Sequence, residues 1–565
     1  MKLHRAVALG AVTAACAVTA APASAASGGE QYTVVAKAGT TKARFERAVR
    51  AAGGTVVDYN ARVAVGAVTA PRGFATRAVK SRLISGAAQR RPIGSVPRLK
   101  AQKRLQRSQD LERAQDAREA LRGHHGPRPS PPATGVDPLS PLQWDMAAIG
   151  AGSTGSYRFG QGQGVRVGII DTGVDGSHPD IAPNFNRALS RNFTVDDPVV
   201  DGPCAEDPDG SCTDGNDVDE NGHGTHVAGT IASPLNGLGI AGVAPKAEIV
   251  NLRAGQDSGY FFVQPAVDAI TYAADHGVDV VNMSFYVDPW LYNCRANPAD
   301  APEAQAQQRT TIVAMQRAVD YARRKGVTPV AALGNENTDI DAPKTDGSSP
   351  DYPPDAAYER TIDNSCLSVP TETEGVVGVS SYGPSGRKAY YSNWSLQETQ
   401  VAAPGGDVRD FPGTDRYRSP QNGILAPYPE NVARAAGDVD EAGEPTTPFV
   451  VKDTSGGTTA YYQYLQGTSM ASPHAAGVAA LIVGSAGRWD WRQGGLTLDP
   501  RLTERLLSRT AVPMACPAGG VQTYPDPDLD PAAYTATCTG GTRHNSFFGD
   551  GSVNALNATQ LRGGR

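Results

Sequence analysis

Residues 165–173 read Val-Arg-Val-Gly-Ile-Ile-Asp-Thr-Gly, a short β-branched run that ends on an acid and a glycine turn. Four to six apolar residues without polar alternation describe a strand buried on both faces. Glu248 to Leu252 (EIVNL), Val278 to Met283 (VDVVNM) and Val327 to Leu333 (VTPVAAL) repeat that texture. Helical segments lie between them, Val263 to His276 and Thr311 to Lys325. The alternation predicts an α/β fold, a parallel sheet with helices on both faces. Functional residues in such sheets collect beyond the carboxyl ends of the strands. Asp171 stands at one of those ends.

Working outward to the N-terminus, Lys2 and Arg5 precede an apolar small-residue stretch, Ala6 to Ala21, and an Ala23-Ser24-Ala25 cleavage pattern. This reads as a signal peptide over 1–25, so a secreted, extracellular protein is expected, with no membrane segment. Cys16 lies inside that stretch without a preceding lipobox leucine. The other six cysteines are even in number, which in an exported chain points to disulfides. Sequence proximity suggests Cys204–Cys212 and Cys516–Cys538, leaving Cys294–Cys366, among the many pairings six cysteines allow.

Gln31 to Lys37 has strand character, and Thr41 to Ala52 places Phe45, Ala48, Val49 and Ala52 on one helical face. Thr55 to Ala70 is β-branched again, and a second short helix is expected from Pro71 to Ile84, with Pro71 in its first turn. This order predicts a small α+β module over 26–98. Residues 99–137 are first charged, then rich in Pro, Gly and Ser, and read as an exposed linker open to proteolysis. Between Gln31 and Arg122 there are about 20 Lys and Arg against roughly six acids. No aromatic-interleaved basic stripe accompanies that charge, so no nucleic-acid partner is expected.

Three local patterns carry the chemistry. Ile169-Ile170-Asp171-Thr172-Gly173 ends a strand with an acid. Gly222-His223-Gly224-Thr225-His226 opens a small-residue helix with a histidine, and Gly467-Thr468-Ser469-Met470-Ala471 opens another with a serine. Acyl transfer needs these three types: a hydroxyl nucleophile, an imidazole to take its proton, and a carboxylate to fix the imidazole tautomer. A helix N-terminus at Ser469 adds free N–H groups toward an oxyanion. Singly, each residue has a plainer reading as a turn acid, a core histidine or an N-cap serine. Jointly, in this order, they favour chemistry.

The three segments resemble the signatures of the subtilisin, or subtilase, family from about Trp144 to Leu556, so 138–565 is expected to be a subtilisin-like catalytic domain. The resemblance implies a secreted serine endopeptidase acting on protein or peptide substrates through an acyl-enzyme. It implies Asp171 as the orienting acid, His223 as the base and Ser469 as the nucleophile, with His226 structural. Ala331-Ala332-Leu333-Gly334-Asn335-Glu336 matches the family's strand-end asparagine, so Asn335 is implied as the oxyanion donor. Ser284, Phe285 and Tyr286 are implied to line the substrate groove, and Tyr286 stands where the family has glycine. The family's preference for large apolar residues is therefore not carried over. Tyr260 and Phe261 fall at the opposite edge, and a Pro- and Asp-rich insertion, 288–308, falls nearby.

The 26–98 module resembles the family's inhibitory propeptide, so synthesis as a zymogen is implied, with the chain's own propeptide as a partner and the mature form a monomer. No organic cofactor is implied. A structural calcium is implied at Asp180 and Asn236, oxygen donors suited to a hard cation. The acidic stretch 196–220 completes no EF-hand and reads as a solvated disulfide loop. A binding scaffold without catalysis would need none of the four implied catalytic side chains, and a calcium-dependent adhesion module would need acidic repeats.

Overall fold

The computed structural model describes residues 29–89, 109–120, 137–206, 210–352, 356–491, 495–526 and 528–561. The expected signal peptide lies outside the described residues. Strands β1 (Glu30–Ala36), β2 (Thr55–Asn60), β3 (Val65–Ala70) and β4 (Ile84–Gln89) form an antiparallel sheet in the order β2-β3-β1-β4. Helix α1 (Lys42–Ala51) buries Phe45 and Val49 against it. Helix α2 (Phe74–Ala78) is shorter than the expected 71–84. Gly73, at φ 78°, turns the chain into the helix, which leaves Pro71 outside it.

The linker departs further from expectation. Residues 109–118 are not an exposed connection: Ala114 and Ala117 are 1% and 0% exposed. Both pack with Leu139, Leu238, Ile240, Phe449 and Tyr462. Arg118, on helix α3 (Gln115–Ala120), pairs with Asp438 at 2.6 Å. Two alanines carry almost no apolar periodicity, so the sequence could not announce a contact made by small-residue packing and one ion pair.

Strands β5 (Arg166–Ile170), β6 (Arg191–Asn192), β7 (Glu248–Arg253), β8 (Val280–Met283), β9 (Thr328–Ala332), β10 (Val377–Tyr382) and β11 (Thr399–Pro404) form a parallel sheet in the order β11-β10-β9-β8-β5-β7-β6. Helix α4 (His223–Ala232) follows the loop after β6, α5 (Val263–Asp275) joins β7 to β8, and α6 (Pro302–Arg324) leads into β9. Helix α6 begins nine residues before the expected Thr311. Pro302 suits its first turn, while buried Gln308, satisfied by the Cys294 N–H and by Asp300, interrupts the apolar pattern that would have revealed it. A small antiparallel sheet of β12 (Ile424–Pro427), β13 (Val450–Asp453) and β14 (Ala460–Leu465) precedes α7 (Thr468–Ala486).

Every residue of α7 from Thr468 to Val483 is buried. A helix apolar all round must run through a core, and its small residues permit that: a Cβ at Gly477 would meet Val243 at 2.6 Å. The N-terminal module docks its sheet face, with Val35, Val63 and Val65, on α5 and α6. Arg317 donates to the Ala36 and Val63 carbonyls, Asn60 to Asp268, and Arg62 pairs with Asp275.

The cysteines pair as sequence proximity suggests: Cys204–Cys212, Cys294–Cys366 and Cys516–Cys538. Beside Cys294, Arg360 is fully enclosed, bonding Asp300 at 2.9 Å and Asp346 at 2.8 Å beneath Trp290. Removing one member of such a cluster strands buried charge. Arg360→Ala is expected to cost about 3–5 kcal/mol of stability, read as a lowered denaturation midpoint. The acidic stretch 196–220 is not wholly solvated either: Asp196, Asp214 and Asp219 are buried, the first two on the enclosed guanidinium of Arg253. Among the described residues, no helix is long and apolar enough to cross a membrane.

Candidate active site

Asp171 is the first residue after β5 and is fully buried. Gly224, in the first turn of α4, brings that helix against the β5 turn. A Cβ there would lie 2.0 Å from the Gly173 carbonyl, so only glycine permits the approach. It places His223 directly over the acid, with Nδ1 2.7 Å from Asp171 Oδ1. Asp219 fixes the start of α4 by accepting from the N–H groups of Asn221, Gly222 and Thr225. His226, one turn in, is buried with Nε2 3.0 Å from the Ile424 carbonyl, and burial first of all pushes its pKa down to about 3.

Ser469 is the second residue of α7 and 5% exposed. Asn335 lies beyond the end of β9, where its Oδ1 accepts from the Thr468 N–H at 2.9 Å and the Thr468 hydroxyl at 2.8 Å. Those two bonds turn the amide nitrogen toward the groove. There, Asn335 Nδ2 and Ser469 Oγ meet on one atom, Glu112 Oε1, at 3.1 and 2.7 Å. The other carboxylate oxygen, Oε2, stands 3.5 Å from His223 Nε2. Four side chains from distant parts of the chain thus converge at the carboxyl end of the sheet. A fifth, Glu112 of the linker, bridges the hydroxyl and the imidazole. Nothing in the charged stretch around it marked that role.

The three groove residues behave differently from one another. Ser284 accepts from Asn282 and donates to the Ser469 carbonyl at 3.1 Å, so its side chain braces α7. Phe285 stacks on Phe261 with ring centroids 4.2 Å apart, and both line the cleft. Tyr286 also lines it, its hydroxyl donating to Asp351 at 2.7 Å. Asp288 and Leu291 of the insertion border the same cleft, whereas Tyr260 is turned away and donates to the Asp351 carbonyl.

Asp180 and Asn236 also come together, but through the wrong atoms for a cation. Asp180 accepts from Asn236 Nδ2 at 3.1 Å, the Ile240 N–H at 3.1 Å and the Tyr462 hydroxyl at 3.2 Å. Asn236 Oδ1 accepts from the Leu238 N–H, and Asp137 and Asp453 accept from the N–H groups of Gly237 and Gly239. A calcium cage presents six to eight oxygens. This loop presents donors, so the residues as arranged do not fit the ion.

A profile of the subtilase family matches residues 162–551, a span holding Asp171, His223, Asn335 and Ser469. The chain belongs to the subtilase family. Fervidolysin of Fervidobacterium pennivorans is 30% identical over 353 residues, 61% of this chain and 38% of its own length. Thermitase of Thermoactinomyces vulgaris is 29% identical over 350 residues, 62% of this chain and 80% of its own. The epidermin leader peptide processing serine protease of Staphylococcus aureus shares the fold at 20% identity and a TM-score of 0.59, covering 95% of this chain and 100% of that one.

In this subtilase the imidazole sits among several acids. Burial by itself would lower the His223 pKa, but Asp171, then Glu112 and Asp219, raise it to about 9. A raised folded-state value means the charged ring's stabilising contribution is complete below the ordinary histidine value of about 6.5 and is lost as pH climbs through about 9. Labelling of Ser469 by a fluorophosphonate in the intact chain is therefore expected to accelerate between about pH 8 and about pH 10. A flat rate across that window would contradict the charge pairing.

Proposed function

We propose that this subtilase is a serine endopeptidase that cleaves peptide bonds in proteins through an acyl-enzyme, exported and made as a zymogen. The observation that carries the reading is the meeting of Asn335 Nδ2 and Ser469 Oγ on one oxygen, beside an imidazole held by Asp171. The Ser469 oxygen attacks the scissile carbonyl carbon while His223 Nε2 takes its proton; the carbonyl π pair moves to the oxygen, giving a tetrahedral oxyanion. Asn335 Nδ2 donates to that oxyanion, its aim fixed by the two bonds from Thr468. Collapse expels the amine, which receives the proton from His223, and water repeats the sequence on the acyl-enzyme. Asp171 holds Nδ1–H and stabilises the charged ring throughout.

The extended substrate adds along the groove as a strand, with Phe285 and Tyr286 in the cleft wall. Tyr286, tied to Asp351, replaces open space with a ring and a hydroxyl, so the residue preceding the scissile bond meets a polar wall. The described part of the N-terminal module, 29–89, supports the zymogen reading through its dock on α5 and α6.

Covalent labelling tests the assignment. A fluorophosphonate should modify the chain at Ser469, and Ser469→Ala should abolish both the label and conversion of the precursor. Normal processing of that variant would assign maturation to another protease. Asn335→Ala is expected to lower kcat about 10²- to 10³-fold with little change in KM, a size taken over from subtilisin itself. An unchanged kcat would remove Asn335 from the oxyanion site.

A further inference from the structure

We propose that residues 109–118 are a second inhibitory element, separate from the N-terminal module: a helical plug whose Glu112 carboxylate occupies the oxyanion position and holds the catalytic groups apart. The inference rests on the endopeptidase reading and adds a mode of blockade to it.

A segment threading an active site in extended form would pair with the groove edges and present a carbonyl carbon to the nucleophile. This segment is coiled instead, and among the described residues its backbone meets that of the rim through one bond, from the Gln466 N–H. Its amides bond within itself, Arg113 to the Gln109 carbonyl, Ala114 to Leu111, and Arg118 to Ala114. A coiled backbone offers no scissile bond to Ser469; what reaches the site is a side chain. Glu112 is 8% exposed, and one of its oxygens takes the hydrogen bonds from Asn335 and Ser469 that a tetrahedral oxyanion and the attacking hydroxyl would otherwise involve. A carboxylate carbon is a poor electrophile, so the contact cannot turn over. Its second oxygen faces His223 Nε2, the atom that must take the serine proton.

The rim is occupied as well. The Gln466 N–H donates to the Glu112 carbonyl and Gln466 Nε2 to the Leu111 carbonyl, both at 2.8 Å. Gln109 donates to the Ser258 carbonyl at 3.0 Å on the other side. Beyond the site, the plug is anchored by buried Ala114 and Ala117, by Arg118 on Asp438, and by Asp116 on Arg409 at 2.6 Å. Glu112 is therefore seated by packing and not merely attracted by charge. Burial raises its pKa, with the charge of His223 opposing. The charged or titratable groups facing it are His223 and Asp171.

The test compares fluorophosphonate labelling rates of Ser469 in the full-length chain, in Glu112→Ala and in Ala117→Asp. The last change places a charge in the plug's buried seam and leaves the groove untouched. Both variants are expected to label at least about 100-fold faster than the parent chain, and both to convert to the mature form sooner. Equal rates in the three intact chains, with rapid labelling once they are processed, would overturn the plug and leave the endopeptidase reading standing. Absence of label in every chain, intact or processed, would remove that reading itself. If Glu112→Ala alone failed to fold, the rate for Ala117→Asp would still decide.

Discussion

Replacing His223 with alanine is expected to lower kcat for peptide hydrolysis about 10⁶-fold, a magnitude taken over from subtilisin, where base and nucleophile act as one unit. The reason lies in the site's geometry. Ser469 is buried at the head of a helix, and His223, held by Asp171 at 2.7 Å, faces the same Glu112 carboxylate that accepts from the Ser469 hydroxyl. A serine hydroxyl without a proton acceptor is nearly unreactive toward an amide. The residual rate should come from Asn335 and from groove binding, so KM should change far less than kcat. Trace wild-type contamination can be silenced beforehand with a fluorophosphonate, to which the variant's own serine is inert. The variant should also accumulate as the full-length chain. A loss smaller than about 10³-fold would mean that another group takes the proton.

Asp171→Asn is expected to cost about 10⁴-fold in kcat at nearly constant KM, a magnitude taken over from the same change in a chymotrypsin-type triad. Asp171 is buried, and its Oδ1 accepts from the Thr172 N–H as well as facing His223. An amide of the same shape keeps the packing, yet its NH₂ can donate to Nδ1 and thereby place the ring proton on Nε2. The base is then blocked at the atom that must accept. Alkaline pH should not restore activity, because the fault is tautomeric and not a matter of protonation state. A variant that keeps kcat within about tenfold of the parent would show that the ring is oriented by something else, with Asp219 and the start of α4 the first place to look.

Much of the architecture was legible because its signals are local. Four β-branched runs separated by small-residue helices specify a parallel sheet through burial on both faces, and the strands fall within two residues of where the pattern puts them. The small module was readable for the same reason, since Phe45 and Val49 repeat at helical spacing. Legibility failed where a residue's role depends on a partner far away in sequence. The start of α6 was hidden by Gln308, a polar residue made buriable only by Cys294 and Asp300. Asp196 and Asp214 looked like solvated acids until Arg253 supplied their counter-charge. Asp180 and Asn236 are adjacent as expected, yet hydrogen positions decide whether oxygen atoms or donors converge, and spacing carries no information on that.

What the sequence determined by itself was the order of elements and the side-chain types at three strand and helix ends. Those follow from short-range sterics and periodicity, which any window of the chain contains. The tertiary structure alone decided that a carboxylate from a charged linker, 357 positions before Ser469, lies on that hydroxyl. The deciding forces were packing of two alanines and pairing of two arginines across the fold, interactions whose free energy exists only once both partners have been brought together.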